Sequence, residues 1–152
     1  MKSIFKNVSI FMVCVLLLVV CACDKNVKED ANKESQLATE LIVATESVIE
    51  DLKFVSKYAG NVNNQGERAF SDEFINRLRD TLLNFNINDI NESMPELADD
   101  VAEIANTNKT ISDLLLDMGR TNTDEYVSTI KTLANDNLIK AENLLEKLYM
   151  YA

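Results

Sequence analysis

Four acidic residues of one predicted helix have a spacing that could support chemistry or binding. They are Glu96, Asp99, Asp100 and Glu103. Because residues three and four positions apart lie on the same side of a helix, these carboxylates are expected to form one acidic stripe. Paired carboxylates can serve as general acid and base in glycoside hydrolysis, and an acidic surface can bind a basic partner. Acidic residues near a helix N-terminus are also common as an ordinary solvated face. We expect the solvated face, with binding of a basic protein surface as the functional alternative.

The composition argues against most catalytic and cofactor chemistry. The chain contains no histidine, which removes the usual general base and the commonest metal ligand. Zinc sites need clusters of cysteine and histidine, and the three glycines lie outside any strand–turn–helix context that could hold a phosphate. The oxygen-rich segment Asn86–Glu92 lacks the glycine and the correctly spaced glutamate of a calcium loop. We therefore predict a protein that is not an enzyme and has no metal or cofactor.

The charge balance narrows the range of partners. The chain carries 25 acidic and 15 basic residues, which gives a net charge of −10. Binding to nucleic acid depends on lysine and arginine residues that displace counterions from phosphates. Because no basic stripe is present, we expect protein partners and no nucleic acid.

A short apolar run near the N-terminus, Val8–Ala22, follows two lysines and ends directly before Cys23. The basic start, the apolar centre of about 15 residues and the small final residue are typical of a secretory signal. The run is shorter than the roughly 20 residues that a membrane-spanning helix needs, so a retained transmembrane anchor is the weaker interpretation. Its end, Val20–Cys23, resembles the lipobox of bacterial lipoproteins, in which the cysteine receives the lipid. This resemblance implies a signal peptide over residues 1–22, lipidation of Cys23 and a membrane anchor of two or three acyl chains.

The remaining sequence predicts one all-α domain on a flexible tether. Residues 23–35 are polar and charged, which is typical of a flexible segment. Apolar residues recur at spacings of three and four over residues 36–152, with no alternating strand pattern. The first predicted helix covers Gln36–Ala59, and three more begin near Ser71, Ser93 and Thr123. Helices of this length favour an elongated antiparallel bundle of about four helices.

Several details of these helices are also predicted. Gly60 and Gly119 are expected to end the first and third helices, because glycine readily adopts the left-handed conformation found there. In the second helix, Ser71 is the expected N-cap, and Phe70 is expected to pack on Ile75. The expected buried stripe of that helix consists of Phe74, Leu78, Leu82 and Phe85, and Phe54 widens the apolar face of the first helix. The polar segments Gly60–Ala69 and Asn84–Asn91 are expected to be loops.

Asn108 is the polar exception on the apolar seam of the third helix. The other seam residues are Leu97, Val101, Ile104, Ile111, Leu115 and Met118. A buried asparagine at such a position can fix the register of helix packing. The alternative is a helix that is bent or exposed at this point. An uncovered seam would also allow two copies to pair, which makes a homodimer a candidate assembly.

The anchor sequence Val20–Cys23, the charged tether and a small helical body without cysteine together resemble surface lipoproteins of spirochaetes, in particular those of Borrelia. The resemblance is architectural and involves no diagnostic motif. It implies a lipoprotein of the outer membrane and cell surface that binds a host protein without catalysis, in adhesion or immune evasion. The acidic body differs from the lysine-rich members, which argues against binding of heparin-type ligands.

A second interpretation comes from Asp24, which follows Cys23 directly. An aspartate at this position is similar to the signal that retains lipoproteins of enteric bacteria in the inner membrane. It would imply a lipoprotein that faces the periplasm and has a structural, chaperone-like or envelope-assembly role.

Overall fold

The computed structural model describes residues 32–61, 70–121 and 124–152, and they form five helices. Helix α1 covers 32–58, and it is followed by α2 (Asp72–Leu83), α3 (Ile87–Ser93), α4 (Pro95–Thr121) and α5 (Val127–Leu148). The described residues contain no strand, which confirms the all-α prediction. Residues 32–35, which the sequence assigned to the tether, belong to α1. The predicted signal peptide, Cys23 and the rest of the predicted tether lie outside the described residues.

Hydrogen bonds between helices show how neighbouring helices are oriented. The Tyr149 hydroxyl donates to Glu46 Oε1 at 2.8 Å, and the Ser56 hydroxyl donates to Asn135 Oδ1 at 2.6 Å. Residue numbers rise along α1 while they fall along the C-terminal helix, so the two segments are antiparallel. Helices α4 and α5 are also antiparallel, because the ion pairs Glu103–Lys140 and Asp100–Lys147 join rising numbers on one helix to falling numbers on the other. Helices α2 and α3 also pack against α4.

Helix α3 lies where the sequence predicted a loop, so the expected count of four helices is not confirmed. The Asn86 side chain caps α3 by accepting a hydrogen bond from the Asn88 backbone at 3.1 Å. Ile90 is fully buried in the core. Asparagine has a low helix propensity, but propensity is a weak preference that tertiary packing overrides. Burial of one isoleucine on a capped turn explains the additional helix.

The core confirms the seam predicted for the third helix. All seven of its residues, including Asn108, are buried in α4. The prediction for α2 is partly wrong, because its buried residues are Ile75, Leu78 and Leu82, while Phe74 and Phe85 are only half-buried. Gly60 has a φ of +91° directly after α1, as expected of a helix end. Gly119 does not end α4, which continues to Thr121.

The bundle has two ends that differ in their relation to the predicted tether. We call the end where α1 begins the proximal end, and the end where α1 finishes and α2 begins the distal end. At 1.5 Å per residue, Phe54 lies about 33 Å along the helix axis from residue 32. Among the described residues, no helix combines the length and the apolar character that a membrane span requires.

Candidate protein-binding site

An aromatic cluster lies on the distal part of α1 and α2. It consists of Phe54, Tyr58, Phe70 and Phe74. The Phe54 ring centroid lies 4.7 Å from that of Tyr58, 5.6 Å from that of Phe70 and 5.4 Å from that of Phe74. The centroids of Phe70 and Phe74 are 5.3 Å apart. These distances and the tilted or edge-to-face ring planes are favourable geometries for aromatic pairs.

Local sequence explains why these rings meet. Phe54 and Tyr58 are four positions apart on α1, so their side chains lie on the same side of the helix. The Ser71 hydroxyl accepts a hydrogen bond from the Phe74 backbone at 3.2 Å and fixes the first turn of α2. This cap holds Phe70 just outside the helix and Phe74 within its first turn, where both reach Phe54.

The aromatic cluster is not sealed inside the core. Phe54 is 39% exposed, and the other three aromatic residues are partly buried. Two cations lie over its rings: Lys57 Nζ is 5.0 Å from the Tyr58 centroid, and the Arg77 guanidinium is 5.2 Å from the Phe74 centroid. The cluster is therefore an apolar surface with Lys57 and the ion-paired Arg77 at its border.

Arg77 is held against the aromatic cluster by a two-pronged ion pair. Its Nε donates to Asp51 Oδ2 at 3.0 Å, and its Nη2 donates to Asp51 Oδ1 at 2.5 Å. The Asp51 side chain is only 8% exposed, whereas that of Arg77 is 53% exposed. Hydrogen bonding to Asp51 is the largest of the effects that raise the pKa of Arg77 above its ordinary value. The pair orients the guanidinium over Phe74 and joins α1 to α2.

The predicted acidic stripe is divided between two environments. Asp100 and Glu103 face α5, where Lys147 Nζ lies 2.5 Å and Lys140 Nζ lies 2.6 Å from their carboxylates. Glu96 and Asp99 are exposed and form no ion pair within the described residues. The four carboxylates therefore do not form one uniform anionic surface.

The described residues contain no group of three or more histidine, cysteine, aspartate or glutamate side chains that could hold a metal ion. The lipid acceptor predicted from the sequence, Cys23, lies outside the described residues.

Sequence reasoning missed the aromatic cluster as a surface. It assigned Phe54 and Phe74 to buried faces, and it paired Phe70 with Ile75, whereas the Phe70 ring contacts Phe54 and Phe74. One available signal was the repeated spacing of four between aromatic residues, at positions 54 and 58 and again at 70 and 74. The Asp51–Arg77 pair gives no such signal, because its members are far apart in the sequence.

Comparisons with protein-family models, with curated proteins and with solved structures found no match to this chain. Any functional assignment therefore depends on the residues and the geometry described above.

Proposed function

We propose that this protein is a lipid-anchored surface lipoprotein whose helical bundle binds a host protein without catalysis. In this proposal α1, α2, α4 and α5 form an elongated antiparallel bundle, with the short α3 as an addition to the connection between α2 and α4. The aromatic cluster is the observation that carries the proposal, and it is the contact surface for the partner.

Three properties of the aromatic cluster support a role in protein binding. Aromatic residues and arginine are enriched at the centres of protein interfaces and among the residues that dominate binding energy. The four rings contact one another, and Arg77 is fixed by Asp51, so little side-chain entropy would be lost on binding. The Lys57 and Arg77 cations offer contacts to acidic groups of a partner at the border.

The position of the aromatic cluster also suits a tethered binding protein. It lies at the distal end, away from the point where the predicted tether joins α1. If Cys23 carries the lipid, this end is the part of the domain held farthest from the membrane. A partner outside the cell would meet it first.

The binding proposal is tested with Phe54→Ser and a matched control, Ile139→Ser. Both residues are exposed apolar side chains on long helices, and Ile139 is 60% exposed on α5, away from the aromatic cluster. Host serum and matrix proteins are screened for binding to the exported chain, and the affinity of each hit is measured for both variants. We expect Phe54→Ser to weaken binding at least tenfold and Ile139→Ser to leave it unchanged. Equal effects of the two substitutions, or no host protein bound, would contradict the proposal.

Anchoring and orientation need separate measurements. We expect the wild-type chain to enter the detergent phase on phase partitioning. A chain with Cys23→Ser and a cleavable non-lipoprotein signal in place of residues 1–22 should enter the aqueous phase. Protease added to intact cells should remove the Leu37–Ala152 domain. Full protection of the domain on intact cells would reject surface display.

Asp24 favours a second candidate, a periplasm-facing lipoprotein with a structural, chaperone-like or envelope-assembly role. Separation of inner and outer membranes distinguishes the two candidates. Recovery in the inner membrane, with a shift to the outer membrane in Asp24→Ser, would favour the second one. Recovery of the wild-type protein only in the outer membrane would reject it.

A further inference from the structure

An apolar groove lies on the proximal half of the bundle, where the end of α2, the start of α3 and the first half of α4 meet. Its volume is about 390 Å³, within the range of roughly 300–1,000 Å³ that is typical of ligand sites. The lining residues include Leu83, Ile87, Ala102, Ala105 and Asn106. None of them is charged, although a quarter of the chain is.

The groove has the form of a receptor for large apolar side chains. Ala102 and Ala105 form the α4 wall, and their small side chains leave space between the helices. Leu83 and Ile87 are exposed at the rim. A groove of this kind accepts apolar residues that recur at spacings of three and four along a partner helix.

The charges beside the groove indicate which partner fits. Asp80 on α2 lies three positions before Leu83, and Asp99 on α4 lies three positions before Ala102, so each acid flanks a wall of the groove. Both are exposed, and neither forms an ion pair within the described residues. At the distal limit of the groove, Arg79 is paired with Asp113 at 2.5 Å. Lys109 lies three positions after Asn106, so it also stands at the distal limit of the groove. The two walls therefore carry acids, and the basic residues lie at the distal limit.

We propose that this groove binds an amphipathic helix of a partner protein, with its apolar stripe in the groove and with lysine or arginine residues beside the stripe. Asp80 and Asp99 contact the basic residues from the two walls. The net charge of −10 attracts such a segment, whereas a second copy of this acidic chain is repelled. This site is separate from the aromatic cluster, so the two proposals can fail independently.

The probe is a synthetic helical peptide of leucine and lysine with the leucines on one face. The controls are a scrambled peptide of the same composition and a version with glutamate in place of lysine. The protein is the exported chain with Cys23→Ser and a cleavable non-lipoprotein signal in place of residues 1–22, which avoids both the lipid and the retained apolar run. We expect the leucine–lysine helix to bind at least tenfold more tightly than either control peptide. Absence of this preference would overturn the proposal.

Two pairs of double variants locate the binding. Leu83→Ser/Ile87→Ser removes the rim, and its control, Val43→Ser/Ile139→Ser, removes two exposed apolar side chains elsewhere. Only the rim variant should lose binding, by at least tenfold. Asp80→Asn/Asp99→Asn should weaken binding several-fold at low salt and reduce its salt dependence, and the exposed pair Asp117→Asn/Asp136→Asn should not. Equal loss in a variant and its control would overturn the assignment to the groove.

Two other occupants are separated by the same set of proteins. If the wild-type chain dimerises and the rim variant is monomeric, the occupant is a second copy and the proposal is wrong. If a fatty acid binds with the same dependence on the rim while the peptide does not, the groove holds an acyl chain, which also overturns it.

Discussion

The aromatic cluster and the apolar groove are both exposed apolar surfaces, but they differ in shape, in charge and in the way they are held. The aromatic cluster is formed by rings that contact one another beside a buried carboxylate, and cations border it. The groove is a concave, uncharged surface, and the acids beside its walls form no ion pair among the described residues. An overall charge of −10 therefore does not determine the local charge that a partner meets. The two surfaces are expected to select different partners.

The largest expected effect tests how firmly the aromatic cluster is held. Arg77→Leu leaves the Asp51 carboxylate buried without its partner. Loss of one member of a fully buried pair costs about 3–5 kcal/mol; because Arg77 is half exposed, we expect a loss of about 2 kcal/mol in the free energy of unfolding. The control at the proximal end, Lys147→Met, breaks a surface pair and should cost less than about 1 kcal/mol. Urea unfolding measures both, and similar losses would remove the distinction between the two ends.

The next effect concerns the turn that follows α1 at the distal end. Gly60 has a φ of +91°, and a Cβ atom there would lie 3.0 Å from two methyl carbons of Val127. We expect Gly60→Ala to lower the free energy of unfolding by about 1–2 kcal/mol, because the left-handed conformation is costly for alanine. Gly119 lies inside α4 with open space around its Cβ position, so Gly119→Ala should stabilise by up to about 1 kcal/mol. A stabilising Gly60→Ala would show that the turn does not constrain the distal end.

A third test concerns the buried hydrogen bond between Asn108 on α4 and Asn137 on α5. The Asn137 side-chain amide donates to Asn108 Oδ1 at 2.8 Å and to the Ile104 carbonyl at 3.1 Å. The exposed helix considered for this position is wrong, because Asn108 is fully buried. Asn137→Ala should cost about 1 kcal/mol, since it leaves Asn108 Oδ1 without a partner but also removes Asn137 Oδ1, which has none among the described residues.

The double variant Asn108→Leu/Asn137→Leu should cost less than the sum of the two single substitutions to leucine. Each single substitution leaves the other amide buried without their shared hydrogen bond, whereas the double variant removes both amides. It also removes Asn108 Nδ2 and Asn137 Oδ1, which have no hydrogen-bond partner among the described residues. Additive losses in this double-mutant cycle would show that the two amides do not stabilise each other.

Periodicity predicted the helices and the seam of α4 because burial follows the 3.6-residue repeat. It failed for α3, where long-range burial of Ile90 outweighs the low propensity of asparagine. It also failed for Phe54, because periodicity assigns a residue to a face but does not show whether another helix covers it.

The acidic stripe shows the same limit at adjacent positions. Asp99 and Asp100 are neighbours in the sequence, but their side chains are about 100° apart around the helix. One therefore lies beside the groove, and the other pairs with Lys147. Asp99 and Asp100 differ in role because α2 and α5 pack on different sides of α4. The sequence alone does not show where α2 and α5 lie.

The smallest effect comes from the proximal C-terminus, where the Tyr149 hydroxyl donates to Glu46 at 2.8 Å. This hydrogen bond is the largest of the effects that raise the pKa of Tyr149 above its ordinary value of 10.0. The folded state therefore holds the phenolic proton more firmly than the unfolded state. The resulting stabilisation is present below pH 10.0 and is lost as the pH rises through the raised pKa.

Tyrosinate absorbance measures this pKa when the titration of Tyr149→Phe is subtracted from that of the wild type. In a Glu46→Gln background the same difference should titrate at a lower pH, because a neutral amide favours the protonated phenol less than a carboxylate does. Because Tyr149 is exposed, thermal unfolding at neutral pH should change little in either variant. An unchanged midpoint in Glu46→Gln would mean that the contact is not maintained in solution. The proximal surface between α1 and α5 would then be more mobile than the aromatic cluster, beside which Arg77 pairs with a carboxylate, Asp51, that is only 8% exposed.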